Sequence, residues 1–271
     1  KNNVLYIKTN NVRQLLSEVA SKVYKNKPKN LIAVTGTNGK SSIADFYYQI
    51  LDLNKKKVAS IGTLGIKTYL KNIEIKNTTL DPISLNDHLQ KIKKLNIDNV
   101  ILEASSHGLK QNRLNGLNFK TGIFTNLSHD HLDYHKSFKD YLKSKLLLFQ
   151  NLLKKNSNVI TDINIPQYKT IKNIAKKKHQ KIFTIGSKKS YLELIKHEYI
   201  DDKQLFEIKY KNKVYDITVN LIGKIQIKNV LMAMIAAEKS NIKFEKIIKS
   251  IHKIKPINGR IEKIGYLKNS S

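Results

Sequence analysis

The sequence predicts an α/β protein: a mostly parallel sheet flanked by helices, with a variant phosphate-binding loop after its first strand and a small antiparallel β element near its end. Three observations predict this. Short apolar runs that suit buried strands, such as LIAV (31–34), NVILE (99–103) and TGIF (121–124), alternate with segments whose apolar residues recur at helical spacing. The first of these runs leads into TGTNGKSS, a glycine-bearing turn ahead of a helix. Between about 190 and 222 the alternation gives way to LFEIKY and KVYDITVN on either side of Lys211–Asn212, the pattern of an antiparallel hairpin.

The elements follow in order. Val12, Leu15, Leu16, Val19 and Val23 give residues 11–24 the spacing of a helix, which Pro28 closes off. LIAV is a strand, SIADFYYQILDLN a helix and KVASIGT (57–63) a second strand. IKTYLKNIEIK (66–76) alternates as a small hairpin turning near Lys71–Asn72. A helix is predicted over 84–96, then a strand over 99–106 that includes Glu103, and another strand at 119–128 ending in a polar loop. The second half of SHDHLDYHKSFKDYLKSKLLLF (128–149) is helical; a strand at 158–160, a helix over 165–178 and a strand KIFTIG (181–186) continue the alternation. After the hairpin come helices at 226–240 and 244–253.

Composition bounds the function. A chain of 271 residues with 40% hydrophobic residues builds one large domain or two ordinary ones. No apolar run reaches 18 residues, and KNNVLYIKTNN lacks the apolar stretch of a signal peptide, so a cytoplasmic protein without a membrane partner is expected. The absence of cysteine excludes disulfides, thiolate zinc sites and a catalytic thiol. The net charge of +29 invites a nucleic-acid partner, yet only three of the fifty basic residues, Arg13, Arg113 and Arg260, are arginines. The lysines are dispersed, which favours solvated faces over a nucleic-acid surface. An arginine kept against that background suggests a planar contact with a carboxylate or phosphate.

TGTNGKSS is the most specific signal. Gly36 and Gly39 permit the backbone conformations that aim consecutive N–H groups at phosphate oxygens, with Thr37 and Asn38 filling the loop between them. Lys40 offers a point charge, Ser41 a hydroxyl for Mg²⁺, and Ser42 continues into the helix. The usual pattern places the first glycine further ahead of the Gly–Lys pair, so this loop is a variant.

Glu103, at the carboxyl end of a strand, and His131, just after another, are candidates to join Ser41 around Mg²⁺, because ligands of open α/β sheets gather at that edge. A zinc site from His129, His131 and His135 is the weaker alternative, since no recognised zinc spacing is present. Asp130 and Asp133 either orient imidazoles or cap the helix that begins near Ser137. Of Lys139, Lys143 and Lys145 most should be solvated; a lysine buried beside Mg²⁺ would be repelled unless CO₂ converted it to a carbamate.

Taken together, TGTNGKSS, NTTLDP (77–82), LEASSHGLKQNRL (102–114), TNLSHDHLDYHKSFKDYLKSKLLLF (125–149), NVLMAMIAA (229–237) and NGRIE (258–262) resemble, in order, the motifs of the Mur ligases. The branch they resemble most adds the third amino acid to UDP-N-acetylmuramoyl-L-alanyl-D-glutamate. The resemblance implies an ATP-dependent ligase acting through an acyl phosphate in peptidoglycan precursor synthesis, with ATP and Mg²⁺ as cofactors, the UDP-muramyl dipeptide and meso-diaminopimelate or L-lysine as partners, and a monomer. It implies that residues 36–42 hold the ATP phosphates, that Glu103 and His131 bind Mg²⁺, that Lys145 is the carbamylated lysine, and that Lys40, Lys145 and His131 are catalytic. Asn77, Thr78, Thr79, Ser105, Gln111 and Arg113 would hold the dipeptide substrate, Asn229 would lie near adenine and Arg260 near the phosphates.

Two departures stand out. GKIQ (223–226) replaces the family's G-R-F-N before the adenine helix, and Leu80 stands where proline is commoner. On this reading residues 1–30 are the end of an N-terminal UDP-binding domain, 31–260 the central ATP-binding domain and 261–271 the start of a C-terminal domain. The alternatives are a ligase like folylpolyglutamate synthetase, a nucleic-acid-binding P-loop ATPase and a non-catalytic nucleotide-binding module.

Overall fold

The computed structural model describes residues 6–128, 130, 134–200 and 203–257. Helix α1 (Val12–Val23), capped by the Asn11 side chain, precedes β1 (Asn30–Thr35), α2 (Lys40–Leu53), β2 (Val58–Gly62), β3 (Gly65–Lys67) and β4 (Asn72–Ile73). Next are α3 (Pro82–Lys94), β5 (Asn99–Glu103), the short α4 (Ser106–Lys110), β6 (Phe119–Phe124) and α5 (Phe138–Leu147), which runs into a π-helical turn at Leu148–Leu152. β7 (Leu153–Asp162), α6 (Tyr168–Lys177), β8 (Lys181–Gly186), β9 (Leu192–Ile200), β10 (Lys203–Tyr210), β11 (Lys213–Val219), α7 (Lys224–Glu238) and α8 (Phe244–Ile251) complete the order. Among the described residues no helix is long and apolar enough to cross a membrane.

The strands form one sheet in the order β11-β10-β9-β8-β7-β6-β1-β5-β2-β3-β4. The run from β9 to β2 is parallel throughout, and the two antiparallel ends are β10–β11 and β3–β4. Side chains alternate across the sheet as period-two geometry requires. Ile32 and Val34 of β1 enter the layer under α2, α7 and α8, whereas Leu31 and Ala33 enter the opposite layer with α3 and α6 residues. Each fully buried Ile, Val or Leu side chain of this kind contributes about 1.5–3 kcal/mol. α1 packs on α3, and its Ser17 and Ser21 hydroxyls donate to the Asn112 and Gly116 carbonyls at 2.6 and 2.7 Å.

Four differences from the sequence reading have local causes. The strand predicted over 99–106 ends at Glu103, because the Ser105 hydroxyl accepts from Gly108 N at 3.0 Å and starts a helix. The turn of the small hairpin is Thr68–Lys71, closed by Thr68 N donating to Lys71 O at 3.0 Å. The helix predicted from 84 begins at Pro82, with Asp81 accepting from Ile83 N and Ser84 N. β9, which no pattern predicted, pairs parallel with β8 and antiparallel with β10.

Strand order positions the site. β1 lies between β5 and β6, so the chain leaves the C-terminal ends of these three strands in adjacent loops, the crevice where ligands of open α/β sheets bind. Residues distant in sequence, 36–42, 103–106 and 125–128, thereby become neighbours.

Candidate active site

The loop after β1 is held by the loop after β6. Thr37 N donates to Asn126 O at 3.0 Å, Asn38 N to Asn126 Oδ1 at 3.0 Å, and the Thr125 hydroxyl to Asn38 O at 2.6 Å. This lacing demands glycine at 36. Its φ is +145°, and an added Cβ would stand 1.8 Å from Thr125 Oγ1. Gly39, at φ +89°, brings the start of α2 against Asn229 of α7. Lys40 Nζ folds back onto the Gly36 and Thr37 carbonyls at 3.0 and 2.8 Å.

Glu103 ends β5 and is only 2% exposed. Its Oε2 accepts from the Ser41 hydroxyl at 3.1 Å and its Oε1 from Thr63 N at 2.8 Å. Gly62, at the end of the neighbouring β2, leaves the space for this carboxylate: a Cβ there would lie 2.2 Å from Oε1. Burial pushes the carboxyl pKa up, opposed by the Thr63 hydrogen bond and by the Lys40 charge.

Lys145, on α5, is 1% exposed. Its Nζ donates to Gly36 O at 2.7 Å and sits 4.3 Å from the centre of the Tyr141 ring. Burial, reinforced by Lys40, pushes its pKa down to about 6, against the pull of Asp130. The amine is therefore largely neutral at neutral pH. Tyr141 ties the same helix to the phosphate loop through its hydroxyl, 3.2 Å from Thr37 Oγ1.

Thr37, Asn38, Gly39, Lys40, Ser41, Thr63, Thr78, Glu103, Ser105, Ser106 and Lys145 line a cleft of about 120 Å³. A larger groove of about 710 Å³ beside α2, lined by Tyr48, Lys67 and Pro256 among others, shares none of these residues. On the cleft's second side Thr79 Oγ1 donates to Glu103 O at 2.9 Å, Arg113 Nη1 to Thr79 O at 2.6 Å and Arg113 Nε to Gln111 Oε1 at 2.9 Å. The Thr63 and Thr78 hydroxyls are 3.1 Å apart. Asn77 is exposed.

The structure thus brings together residues 36–42, Glu103, Lys145, Thr78, Thr79, Ser105, Gln111 and Arg113. Asn229 is buried against Gly39 and donates to Gln226 Oε1 at 3.0 Å, so the residue that departs from the family pattern at 226 contacts Asn229 directly. His131 and Arg260 lie outside the described residues, as do Asp133 and His129. The described residues hold no group of three His, Asp or Glu side chains suited to a metal, and His135 is engaged by Ser106 instead. The cap of α5 is the Ser137 hydroxyl, which accepts from Asp140 N at 3.1 Å, and not Asp130. Sequence reasoning missed Thr63, Asn126 and Tyr141: Asn126 and Tyr141 lie within the 125–149 stretch but were not singled out, and Thr63 had a signal in its place after a strand at the same sheet edge.

The residues present fit a nucleoside triphosphate with Mg²⁺. Ser41 and Glu103 offer hard oxygen donors within 3.1 Å of each other, at the mouth of a loop whose lysine rests on exchangeable carbonyl contacts. A carbamate on Lys145 would add an anionic oxygen donor to the same cleft.

Comparison with known proteins adds independent information. Residues 34–237 match the model of the Mur ligase middle domain. A Rickettsia montanensis protein, UDP-N-acetylmuramoyl-L-alanyl-D-glutamate–2,6-diaminopimelate ligase, is 36% identical over 265 residues, which cover 96% of this chain and 55% of the relative. The chain therefore spans about half the length of the curated relatives it matches. A solved UDP-N-acetylmuramoyl-L-alanyl-D-glutamate–2,6-diaminopimelate ligase superposes with a TM-score of 0.86 at 27% identity, over 96% of this chain and 54% of the other. An FPGS–AMPPCP complex shares the fold at a TM-score of 0.73 and 16% identity, over 94% of this chain and 70% of the other.

Proposed function

Because the chain belongs to the Mur ligase family, we propose that residues 31–260 are the ATP-binding unit of a ligase that joins an amino acid to UDP-N-acetylmuramoyl-L-alanyl-D-glutamate. The names of the relatives favour 2,6-diaminopimelate over L-lysine as that amino acid. The single observation that carries the proposal is the convergence of Lys40, the Ser41–Glu103 pair and a buried Lys145 on one cleft, with Thr78, Ser105 and Ser106 on its other side.

In this function the N–H groups at the start of α2 and Lys40 bind the phosphates, Lys40 leaving the Gly36 and Thr37 carbonyls to do so. Mg²⁺, held by Ser41, Glu103 and the Lys145 carbamate, would offset charge on the transferred phosphoryl group. The neutral amine that burial enforces on Lys145 is the form that adds CO₂. Thr78, Thr79, Ser105, Gln111 and Arg113 orient the dipeptide so that its D-glutamyl carboxylate faces the γ-phosphate. Positioning of two anions in line supplies most of the acceleration in such a transfer. The acyl phosphate formed is then attacked by the amine, and phosphate leaves.

The test is phosphate release by the intact polypeptide that carries this chain, given ATP, the UDP-muramyl dipeptide and a panel of amino acids. Release stimulated by 2,6-diaminopimelate is expected; release stimulated by no amino acid rejects the ligase.

A further inference from the structure

Among the described residues His135 is the one buried histidine, and the proposed chemistry leaves it without a role. It is 1% exposed, on the segment leading into α5. Its Nε2 lies 3.0 Å from Ser106 Oγ, and its buried Nδ1, which makes no hydrogen bond, has the Asp140 carboxylate 3.5 Å away. Asp140 is itself paired with Lys110 Nζ at 2.6 Å, and its side chain is 30% exposed, so the series runs from the cleft to solvent. Tyr134, Tyr141 and His107 surround the imidazole at 4.9, 5.0 and 5.7 Å between ring centres.

At 3.5 Å the Asp140 carboxylate attracts an N–H and repels a ring lone pair, which favours the tautomer with the proton on Nδ1. Nε2 is then an acceptor and takes the Ser106 hydroxyl proton. Ser106 lines the cleft, and its remaining lone pairs are left to accept from a donor there. A cleft that already offers Lys40 and the N–H groups at the start of α2 to anions thus has one wall built to accept hydrogen bonds. In a ligase, the reactant that brings donors is the attacking amine.

We propose that Ser106 receives the incoming amine and that His135, aligned by Asp140, takes the proton it must lose. This rests on the ligase reading above. Ser106 Oγ accepts one proton from the substrate ammonium as its own proton passes to His135 Nε2. The lone pair so freed forms the C–N bond to the acyl carbon. The acyl C–O bond breaks with its electron pair going to phosphate, which also takes the second nitrogen proton. The imidazolium, stabilised by Asp140, returns its proton to solvent. Ser106 is thus a catalytic residue and His135 a positioning residue acting through it. Burial supports the scheme by keeping the imidazole pKa low and the ring a neutral acceptor; Asp140 raises that pKa, and the Lys110 charge lowers it further.

The experiment uses the intact polypeptide and two acceptors for the acyl phosphate: 2,6-diaminopimelate, an ammonium at neutral pH, and hydroxylamine, which is already unprotonated and needs no base. His135→Gln and Ser106→Ala are each expected to lose about 100-fold in ligation of diaminopimelate, and at least ~10-fold less than that in hydroxamate formation. The residual ligation by either variant should recover as pH is raised and the amine deprotonates unaided. Equal losses with both acceptors, or no loss with either, overturn the proposal. If one variant folds poorly, seen as lost nucleotide binding, the other decides. An unmodified protein that yields neither product rejects the ligase reading itself, a result distinct from either outcome for the variants.

Discussion

The two halves of the sheet bury polar groups in opposite ways. Around β9–β11 the fully buried Gln204 and the half-buried Tyr191 each have partners of matching character. The Gln204 amide, fully buried, donates to Leu221 O at 2.7 Å and accepts at 2.7 Å from His197 Nε2. The Tyr191 hydroxyl donates to Glu238 at 2.9 Å and accepts from Lys239 at 2.9 Å, beside the stacked Tyr210 and Phe244 rings. At the C-terminal ends of β1 and β5, by contrast, Glu103 and Lys145 are 2% and 1% exposed, and among the described residues neither makes an ion pair. Among the described residues each has only neutral hydrogen-bond partners, with Lys40 and Asp130 acting from further off, and burial moves each pKa toward the uncharged form. One region is arranged for stability. The other buries ionisable groups whose desolvation would, in the proposed function, be offset when anionic phosphates and a cation enter.

That contrast can be broken in four places. The largest effect belongs to the stable end: Phe206→Ala, removing a ring that is 1% exposed, should cost about 3–5 kcal/mol in urea denaturation. Next is Gly36→Ala, whose Cβ would collide with Thr125; ATP affinity measured by calorimetry should fall by ~100-fold, the scale of about 2.7 kcal/mol. Third, Lys145→Met should abolish activity yet raise unfolding free energy by about 1–2 kcal/mol, because a buried unpaired amine is replaced by an apolar chain of similar size.

The same lysine sets a pH dependence. Unfolded, it holds its proton up to about 10.5; folded, only below about 6. Between those values the unfolded chain binds more protons, so raising the pH stabilises the fold, by at most ~1.4 kcal/mol per pH unit from this group. The rise in thermal midpoint between pH 7 and 9 should therefore be smaller in Lys145→Met. The smallest effect is Ser137→Ala, which uncaps the helix bearing Tyr141 and Lys145 and should cost ~1 kcal/mol.

Legibility in the sequence followed the range of the interactions. The phosphate loop was legible because strand, glycines and lysine are contiguous, and Glu103 because it closes an apolar run. The buried state of Lys145 also had a local signal: with Tyr141 and Leu148 it occupies positions i, i+4 and i+7, one helical face, and all three are buried. β9 was not legible. A register shift between Glu207 and Ile208 of its partner breaks the alternation that would have marked it, and much of LELIKHEYI is solvent-facing. Thr63, Asn126 and Tyr141 were hidden for a different reason. Asn126 and Tyr141 act through β1 lying beside β6, and Thr63 through β2 lying beside β5, non-local pairings that no window of sequence contains.

The central claim is that Glu103 and Ser41 hold a cation which the triphosphate needs in order to bind beside Lys40. Calorimetric titration of ATP into the 271-residue chain, with and without Mg²⁺, and into Glu103→Gln, tests it most directly. The structure predicts binding that requires Mg²⁺ and weakens at least ~10-fold in the variant, a difference of about 1.4 kcal/mol. Equal affinity in all three titrations contradicts it.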